Sequence, residues 1–160
     1  MKDMLSLSTH LPQRHLASGE VLIAEGAPAA GLWVLVSGAL QVRKGTVVVN
    51  TINRPGAVIG EISLLLDAPY GATVVATEAC TLRHAADGDG LLASDPAITR
   101  LLAIGLAERL NFVTTYLADL KHQYGDAPGL AMVADVLSEL AQRQGPVARP
   151  GSARDPDPDY

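Results

Sequence analysis

Between residues 15 and 84 the sequence is divided into short apolar runs, each ended by glycine, proline or a polar turn. Runs of this length, rich in valine, leucine and isoleucine, are typical of β-strands and too short for amphipathic helices. The predicted strands cover residues 21–24, 32–36, 40–43, 47–52, 72–76 and 79–82. So many short strands at this density of turns predict a β-barrel or a β-sandwich.

One short helix is predicted inside this β region. It covers Glu61–Leu66, begins after Gly60 and ends before Asp67-Ala68-Pro69. A helix of fewer than two turns is not stable alone. The strands on either side must therefore hold it in place.

After residue 84 the apolar residues recur with the spacing that is typical of helices. Asp87 to Gly90 is predicted to be a turn, and Asp95 and Pro96 are predicted to be the N-cap and first residue of a helix that runs to about Tyr124. In this helix, alternating steps of four and three form a heptad seam that favours a partner helix. The seam consists of Leu106, Leu110, Val113, Leu117 and Leu120.

The last part of the chain predicts one more helix and a tail. Residues 128–143 have the apolar spacing of an amphipathic helix, and 145–160 are rich in proline, glycine and aspartate, which predicts disorder. The predicted organisation is therefore a domain over 1–124 that includes the long helix, an extra helix over 125–144, and a tail over 145–160.

Charge and cysteine content limit the function. The net charge is −5 with no basic stripe, which disfavours binding to nucleic acid. The single cysteine, Cys80, cannot form an internal disulfide, and a buried structural role is predicted for it. No apolar run approaches the ~20 residues of a membrane span, and the N-terminus has no signal peptide. These features predict a cytoplasmic chain that does not bind a membrane.

The sequence offers no arrangement of catalytic or metal-binding groups. The four histidines lack the spacing of metal ligands, and no serine lies in a nucleophile elbow. No paired carboxylates suggest acid–base chemistry. We therefore predict that the chain is not an enzyme and holds no metal.

Residues 59–76, which read Ile-Gly-Glu-Ile-Ser-Leu-Leu-Leu-Asp-Ala-Pro-Tyr-Gly-Ala-Thr-Val-Val-Ala, resemble the phosphate-binding cassette of cyclic nucleotide-binding domains. The glycine-punctuated strands before it, and Asp95-Pro96 after it, are similar to the bacterial catabolite-activator and nitrogen-fixation-regulator branch. The resemblance covers about residues 15–122. It implies a double-stranded β-helix, a jelly-roll-like β-roll, with a short cassette helix and a long C-terminal dimerisation helix.

The resemblance also implies a ligand site, with a cyclic nucleotide such as cAMP, cGMP or cyclic di-GMP as the possible ligand. A helix N-terminus suits a phosphate because its N–H groups are unpaired. The family's glutamate, which binds the ribose 2′-hydroxyl, corresponds to Glu61; alternatively Glu61 only interacts with its own helix N-terminus. The implied ligand-binding residues are Gly60, Glu61, Ile62, Ser63, Tyr70, Gly71, Ala72, Thr73 and Thr114.

One position departs from the family pattern. The phosphate-binding arginine of the family corresponds to Tyr70, and the small hydroxyl residue that often follows it corresponds to Gly71. Tyrosine offers one neutral donor in place of a charged fork. Tyr70 could stack on the base of another nucleotide, plug an empty pocket or cap the barrel surface.

The long helix departs at a second position. The base-contacting places of the family correspond to Val113 and Thr114, and Val113 offers no hydrogen bond. The seam needs no ligand to pair, so homodimerisation is better supported than nucleotide binding, although the same leucines could pack within one chain. The sequence after the helix has no winged helix-turn-helix, so direct DNA binding is not expected.

Two functions follow from these expectations. The first is a stand-alone sensor of the cyclic nucleotide-binding family that acts through a dimer and a partner. The second is a degenerate, ligand-independent dimerisation or interaction scaffold, with a sensor of another nucleotide such as cyclic di-GMP as a further alternative.

Overall fold

The computed structural model describes residues 2–125 and 131–143. The described residues form two compact units that divide between Ala103 and Ile104. The elements are α1 (Met4–Leu7), β1 (Gln13–Leu16), β2 (Val21–Ile23), β3 (Leu32–Ser37), β4 (Leu40–Lys44), β5 (Val47–Ile52), β6 (Val58–Ile59), α2 (Glu61–Leu66), β7 (Thr73–Ala76), β8 (Cys80–Ala85), α3 (Gly88–Ser94), α4 (Pro96–Tyr124) and α5 (Ala131–Gln142).

The strands of the first unit form two antiparallel sheets of four strands each. One sheet has the order β1-β8-β3-β6 and the other has the order β2-β7-β4-β5. Consecutive strands mostly lie in different sheets, as in a jelly roll. The predicted β-roll fold with a cassette helix and a long C-terminal helix is confirmed.

Alternate side chains of β3 enter two different apolar cores. Trp33 and Leu35 lie in the interior of the roll with Leu82 of β8. Leu32 and Val34 point to the other face of the sheet, where they pack with apolar side chains of α1, α3 and the start of α4. The period of two along a strand produces this division, because successive side chains point to opposite faces.

The N-terminal helix α1 is fastened to the first unit by polar contacts. Arg83 of β8 donates from Nη1 to the Leu5 carbonyl at 2.6 Å and to Ser8 Oγ at 3.0 Å. Lys2 forms an ion pair of 3.0 Å with Asp95, just before α4. The sequence analysis did not predict α1, β1 or β6, since each is too short to show a period.

The segment from Asp87 to Gly90 corrects one prediction. It was predicted as a turn, but Asp87 is the N-cap of α3 and accepts a hydrogen bond from the Gly90 N–H at 2.9 Å. A Cβ at Gly88 would lie 2.7 Å from a methyl carbon of Leu64, so glycine lets the start of α3 pack against α2. Two glycines obscured a helix that tertiary packing stabilises.

The start of α4 and its length agree with the prediction. Asp95 is followed by Pro96 as the first helical residue, and the Asp95 carboxylate accepts from the Ala97 N–H at 2.9 Å. The helix ends at Tyr124. Among the described helices, none alone is long and apolar enough to cross a membrane; α3 and α4 together pass by length and composition, with a bend of 110° between them.

The second unit contains the remainder of α4 and the shorter helix α5. The helix predicted over 128–143 is found as Ala131–Gln142. Residues 128–130 and the tail over 145–160 lie outside the described residues. The grouping of residues 1–124 into one domain stays a prediction.

Candidate functional site

The cassette begins where β6 ends and α2 starts, at Gly60. Gly60 has a left-handed φ of +91°, which glycine adopts without strain. A Cβ at this position would lie 3.0 Å from the Gly31 carbonyl oxygen and 3.5 Å from Cε1 of Tyr70. Gly60 therefore lies close both to the β2–β3 loop and to the Tyr70 ring.

Two polar side chains of α2 are buried. Glu61 is 3% exposed and Ser63 is 6% exposed. Ser63 Oγ donates to the Pro69 carbonyl at 3.3 Å, which closes the cassette loop onto its helix. Ile62, between them, is exposed. The burial of Glu61 is consistent with either role considered for it, as a ligand-binding group or as a partner of its own helix N-terminus.

Tyr70 is buried in the interior of the roll, and its polar atoms are bonded. Its hydroxyl oxygen accepts a hydrogen bond from the Ala30 N–H at 2.7 Å. Its backbone N–H donates to the Ala27 carbonyl at 2.9 Å, and its carbonyl accepts from the Gly26 N–H at 2.8 Å. The side chain is 7% exposed and belongs to the same core cluster as Trp33. Of the three readings of Tyr70, this geometry favours the plug.

The residues after Tyr70 return the chain to the sheet. Gly71 is exposed, with open space where a Cβ would be. Ala72 and Thr73 are half-buried. Thr73 Oγ1 accepts a hydrogen bond from the Glu25 N–H at 3.0 Å. The β2–β3 loop is thus bonded to the cassette at both Tyr70 and Thr73.

Two arginines of the roll contact groups outside residues 59–76. Arg83 is held at α1 by its bonds to Leu5 and Ser8. Arg14 lies over the ring of Trp33, with its Cζ atom 5.3 Å from the ring centroid. Tyr70, which the resemblance assigns to the position of the family's arginine, brings a phenol hydroxyl there in place of a guanidinium.

Sequence reasoning missed the residues that hold Tyr70 in place. His84 Nε2 lies 2.7 Å from the Ala30 carbonyl, and because a carbonyl only accepts, Nε2 carries the proton. The His84 ring stacks on Trp33 with centroids 3.7 Å apart. The backbone of Ala30 thus connects Tyr70, through its N–H, with His84, through its carbonyl. No sequence pattern signalled this, because the contact at residue 30 is made by its backbone.

The predicted residues on α4 lie in the second unit. Val113 and Leu110 of the seam are exposed, at 47% and 55%. Thr114 and the other seam residues, Leu106, Leu117 and Leu120, are half-buried. All of them lie on the helix as predicted; their roles in ligand binding and dimerisation stay predictions.

A cavity and a buried thiol are two further features of the first unit. A cavity of about 430 Å³ lies beside His10, His84 and Asp87, at the junction of β8 and α3. In residues 2–125 and 131–143, no cluster of three or more histidine, cysteine, aspartate or glutamate side chains is placed to hold a metal ion. Cys80 is buried as predicted, and burial raises the pKa of its thiol.

Comparison with known proteins gives a family match over the roll. The model of the cyclic nucleotide-binding domain matches residues 13–88. A CRP-like cAMP-activated global transcriptional regulator of Mycobacterium tuberculosis is 32% identical over 148 residues, which are 88% of this chain and 63% of that protein. The acetyltransferase Pat of Mycolicibacterium smegmatis is 45% identical over 76 residues, which are 45% of this chain and 22% of that protein.

A solved structure agrees on the fold. A transcriptional regulator of Thermotoga maritima superposes with a TM-score of 0.65 at 18% identity, over 76% of this chain and 99% of that chain. The chain spans 22% of the length of the acetyltransferase and 63% of the length of the CRP-like regulator. The shared part is therefore the roll with its cassette and some of the sequence after it.

Proposed function

Residues 13–88 of this chain form a domain of the cyclic nucleotide-binding family, and from this premise we propose that the chain is a non-catalytic regulatory module that acts through a second copy of itself and a protein partner. The observation that carries the proposal is Tyr70, which is buried against Gly60 and bonded to Ala30. In this proposal the cassette is filled by the chain's own side chain. The seam on α4, of which Leu110 and Val113 are exposed, is the element that pairs two copies in this proposal.

The absence of an arginine charge at residue 70 determines how far the affinity for a nucleotide is lowered in this proposal. A hydrogen bond to a charged group contributes about 1.5–3 kcal/mol, so its absence lowers affinity by about 10- to 100-fold. Binding a nucleotide would also require Tyr70 to leave its bond with the Ala30 N–H. The missing charge and the hydrogen bond between Tyr70 and Ala30 both lower the affinity of the unmodified chain for a cyclic mononucleotide.

Several properties favour protein contacts over other outputs. The net charge of −5 disfavours a phosphate backbone, so we assign no DNA binding to this chain. One of the relatives named above is a cAMP-activated regulator. The acetyltransferase matches this chain over only 22% of its own length, so we do not carry its activity over and assign no catalysis to this chain. The free, buried thiol of Cys80 suits a reducing, cytoplasmic compartment.

Calorimetry tests the closed cassette. We expect no heat with cAMP, cGMP or cyclic di-GMP at high micromolar concentration for the unmodified chain. Tyr70→Arg should bind a cyclic mononucleotide, because it restores the charged fork; Tyr70→Phe is the matched control, since it breaks the Ala30 bond without adding charge. A nucleotide detected by mass spectrometry in the purified, unmodified protein would refute the closed cassette.

A second candidate is a cyclic nucleotide sensor, and one observation favours it. Glu61 and Ser63 are kept buried inside the cassette, where the family's ligand binds its glutamate. If the unmodified chain releases heat with a cyclic nucleotide, Glu61→Gln should abolish that heat. Heat that persists in Glu61→Gln would place the ligand outside the cassette and reject this candidate.

A further inference from the structure

The loop that joins β2 to β3 is bonded to the cassette along much of its length. Its residues 25–30 form neither helix nor strand, and five of these six residues are exposed. Tyr70, to which they are bonded, is only 7% exposed. We name residues 25–30 the strap.

Three hydrogen bonds join the strap to Tyr70. The Gly26 N–H donates to the Tyr70 carbonyl at 2.8 Å, and the Tyr70 N–H donates to the Ala27 carbonyl at 2.9 Å. The Ala30 N–H donates to the Tyr70 hydroxyl oxygen at 2.7 Å. Release of the Tyr70 ring from the roll therefore breaks the bond to Ala30, and movement of the whole strap breaks all three.

Two side-chain contacts hold the ends of the strap from outside the cassette. At the first end, the Glu25 carboxylate accepts from the Gly45 N–H at 2.9 Å, in the turn between β4 and β5. At the other end, His84 Nε2 of β8 donates to the Ala30 carbonyl at 2.7 Å. The His84 ring is itself fixed by its stack on Trp33. Since β8 lies in one sheet and β4 and β5 lie in the other, the strap is tied to both sheets of the roll.

The bonds of Ala30 make the positions of Tyr70 and His84 depend on each other. The Ala30 N–H is bonded to Tyr70, and the Ala30 carbonyl is bonded to His84. These two backbone groups flank one Cα atom, so the bond to His84 keeps the N–H in place beside the Tyr70 hydroxyl. Loss of the His84 bond lets Ala30 move away from Tyr70.

We infer that the strap closes the cassette over Tyr70, and that Glu25 and His84 are the positioning residues that keep it closed. When the strap opens, the Tyr70 ring is released and the space beside Gly60, which the ring borders, becomes accessible. Access to the cassette is thus regulated by two side chains that lie outside it. This inference rests on the proposed closed cassette.

Amide hydrogen exchange of the full chain measures the opening of the strap, because a bonded N–H exchanges only when its bond is broken. His84→Phe keeps a ring that stacks on Trp33 but removes the donor to Ala30. We expect it to raise the exchange rate of the Ala30 amide about 3- to 10-fold, which is the effect of one ordinary hydrogen bond. His84→Gln keeps an N–H donor and should change the rate less than about twofold. An unchanged rate in His84→Phe would overturn the inference.

Glu25→Ala tests the other end of the strap without a change in the core. It removes the acceptor of the Gly45 N–H, and because Glu25 is exposed we expect a smaller effect, about 2- to 3-fold faster exchange of the Gly26 and Ala30 amides. Glu25→Gln keeps an oxygen acceptor and should restore the rates of the unmodified chain. Faster exchange at Gly45 alone would show that the carboxylate acts only on its own turn and would overturn the inference.

Two controls separate the strap from a general loss of stability. The Leu35 amide, which donates to the Ala57 carbonyl at 2.9 Å, lies outside the strap and should keep its exchange rate in all of these variants. His15→Phe makes the same substitution on β1, where His15 Nδ1 lies 3.1 Å from Thr81 Oγ1, and should leave the Ala30 amide unchanged. A rise of equal size at Leu35 and Ala30 in His84→Phe would show general destabilisation and contradict the strap.

Exchange and calorimetry together separate this inference from the proposed function. If the Ala30 amide is protected and no nucleotide binds, but His84→Phe and Glu25→Ala change no exchange rate, the closed cassette is retained and the strap is rejected. An Ala30 amide that is unprotected in the unmodified chain rejects both.

Discussion

The β-roll and the helices after residue 104 place their apolar side chains in opposite ways. In the roll the large apolar side chains of the interior are buried, with Leu35, Leu40 and Leu82 at 0% exposure, although the valines of β5 are exposed. In the helices of the second unit, Leu110, Phe112 and Tyr116 are more than half exposed. The roll is complete within one chain, whereas the helices present surfaces that remain to be covered. The difference indicates that the roll determines what the chain can bind in its interior, and that the helices determine how it associates.

Substitution of glycine by alanine is expected to give the largest difference in stability between the roll and the helices. Gly31 has a φ of +89°, and an added Cβ would lie 2.1 Å from the Ala85 carbonyl oxygen, so Gly31→Ala should lower the free energy of unfolding by about 4 kcal/mol or more. Gly105 in α4 has open space around it, so Gly105→Ala should raise helix stability by about 0.5–1 kcal/mol. Urea unfolding followed by far-UV circular dichroism measures both. If Gly31→Ala and Gly105→Ala changed the stability by the same amount in the same direction, the difference between the roll and the helices would be contradicted.

Leucine truncation is the next test. Leu82→Ala removes a fully buried side chain and should destabilise the roll by about 2–5 kcal/mol. Leu110→Ala removes a side chain that is 55% exposed and should change the stability of the roll by less than about 0.5 kcal/mol. Trp33, the single tryptophan, is buried in the roll, and its fluorescence reports the unfolding of that region. A large effect of Leu110→Ala on this signal would show that the roll depends on the helices.

The two tyrosines give a smaller, matched contrast. Tyr70→Phe removes the acceptor of the Ala30 N–H and should cost about 0.5–1.5 kcal/mol, which is the net contribution of an ordinary hydrogen bond. Tyr116→Phe removes a hydroxyl from a side chain that is 57% exposed and should be neutral. The denaturant midpoints of both variants and of the unmodified chain, measured by Trp33 fluorescence, test these two expectations. A neutral Tyr70→Phe would mean that the plug contributes packing alone.

The smallest expected effect concerns pH. The Ala97 N–H, and next the Lys2 ammonium, lower the pKa of Asp95 below its usual value of 3.8. The folded pKa is therefore below the unfolded one, so the stabilisation is present above the unfolded value and is lost as pH falls through the folded one. Between about pH 6 and about pH 3, the melting temperature of Asp95→Asn should fall less than that of the unmodified chain. Asp135→Asn, on exposed α5, is the control and should follow the unmodified chain.

Much of the fold was predictable from local patterns. The helix at Glu61–Leu66 and the start of α4 at Pro96 were correct, because glycine, proline and capping residues act within a few positions of where they stand. The turn predicted at Asp87 to Gly90 was wrong. Gly88 and Gly90 disfavour a helix locally, but the packing of Gly88 against Leu64 outweighs that preference.

The sequence predicted the cassette helix but not the burial and bonding of the candidate site's side chains. The sequence located Gly60, Glu61 and Tyr70 and left three readings of Tyr70 open. Its burial and its bond to Ala30 became visible only in the folded chain, because the donor is a backbone group 40 residues away. The pairing of Ala30 with His84 was hidden for the same reason.

The amino-acid sequence by itself determined the order of short strands, the one-turn cassette helix, the long helix with its seam, and the absence of an arginine at residue 70. The tertiary structure decided which side of each strand is buried, that α3 forms, and that the Tyr70 ring occupies the space beside Gly60. The reason is physical: turn and capping preferences arise from neighbours along the chain, whereas burial and hydrogen-bond partners arise from groups that are distant in sequence and meet only when the chain has folded.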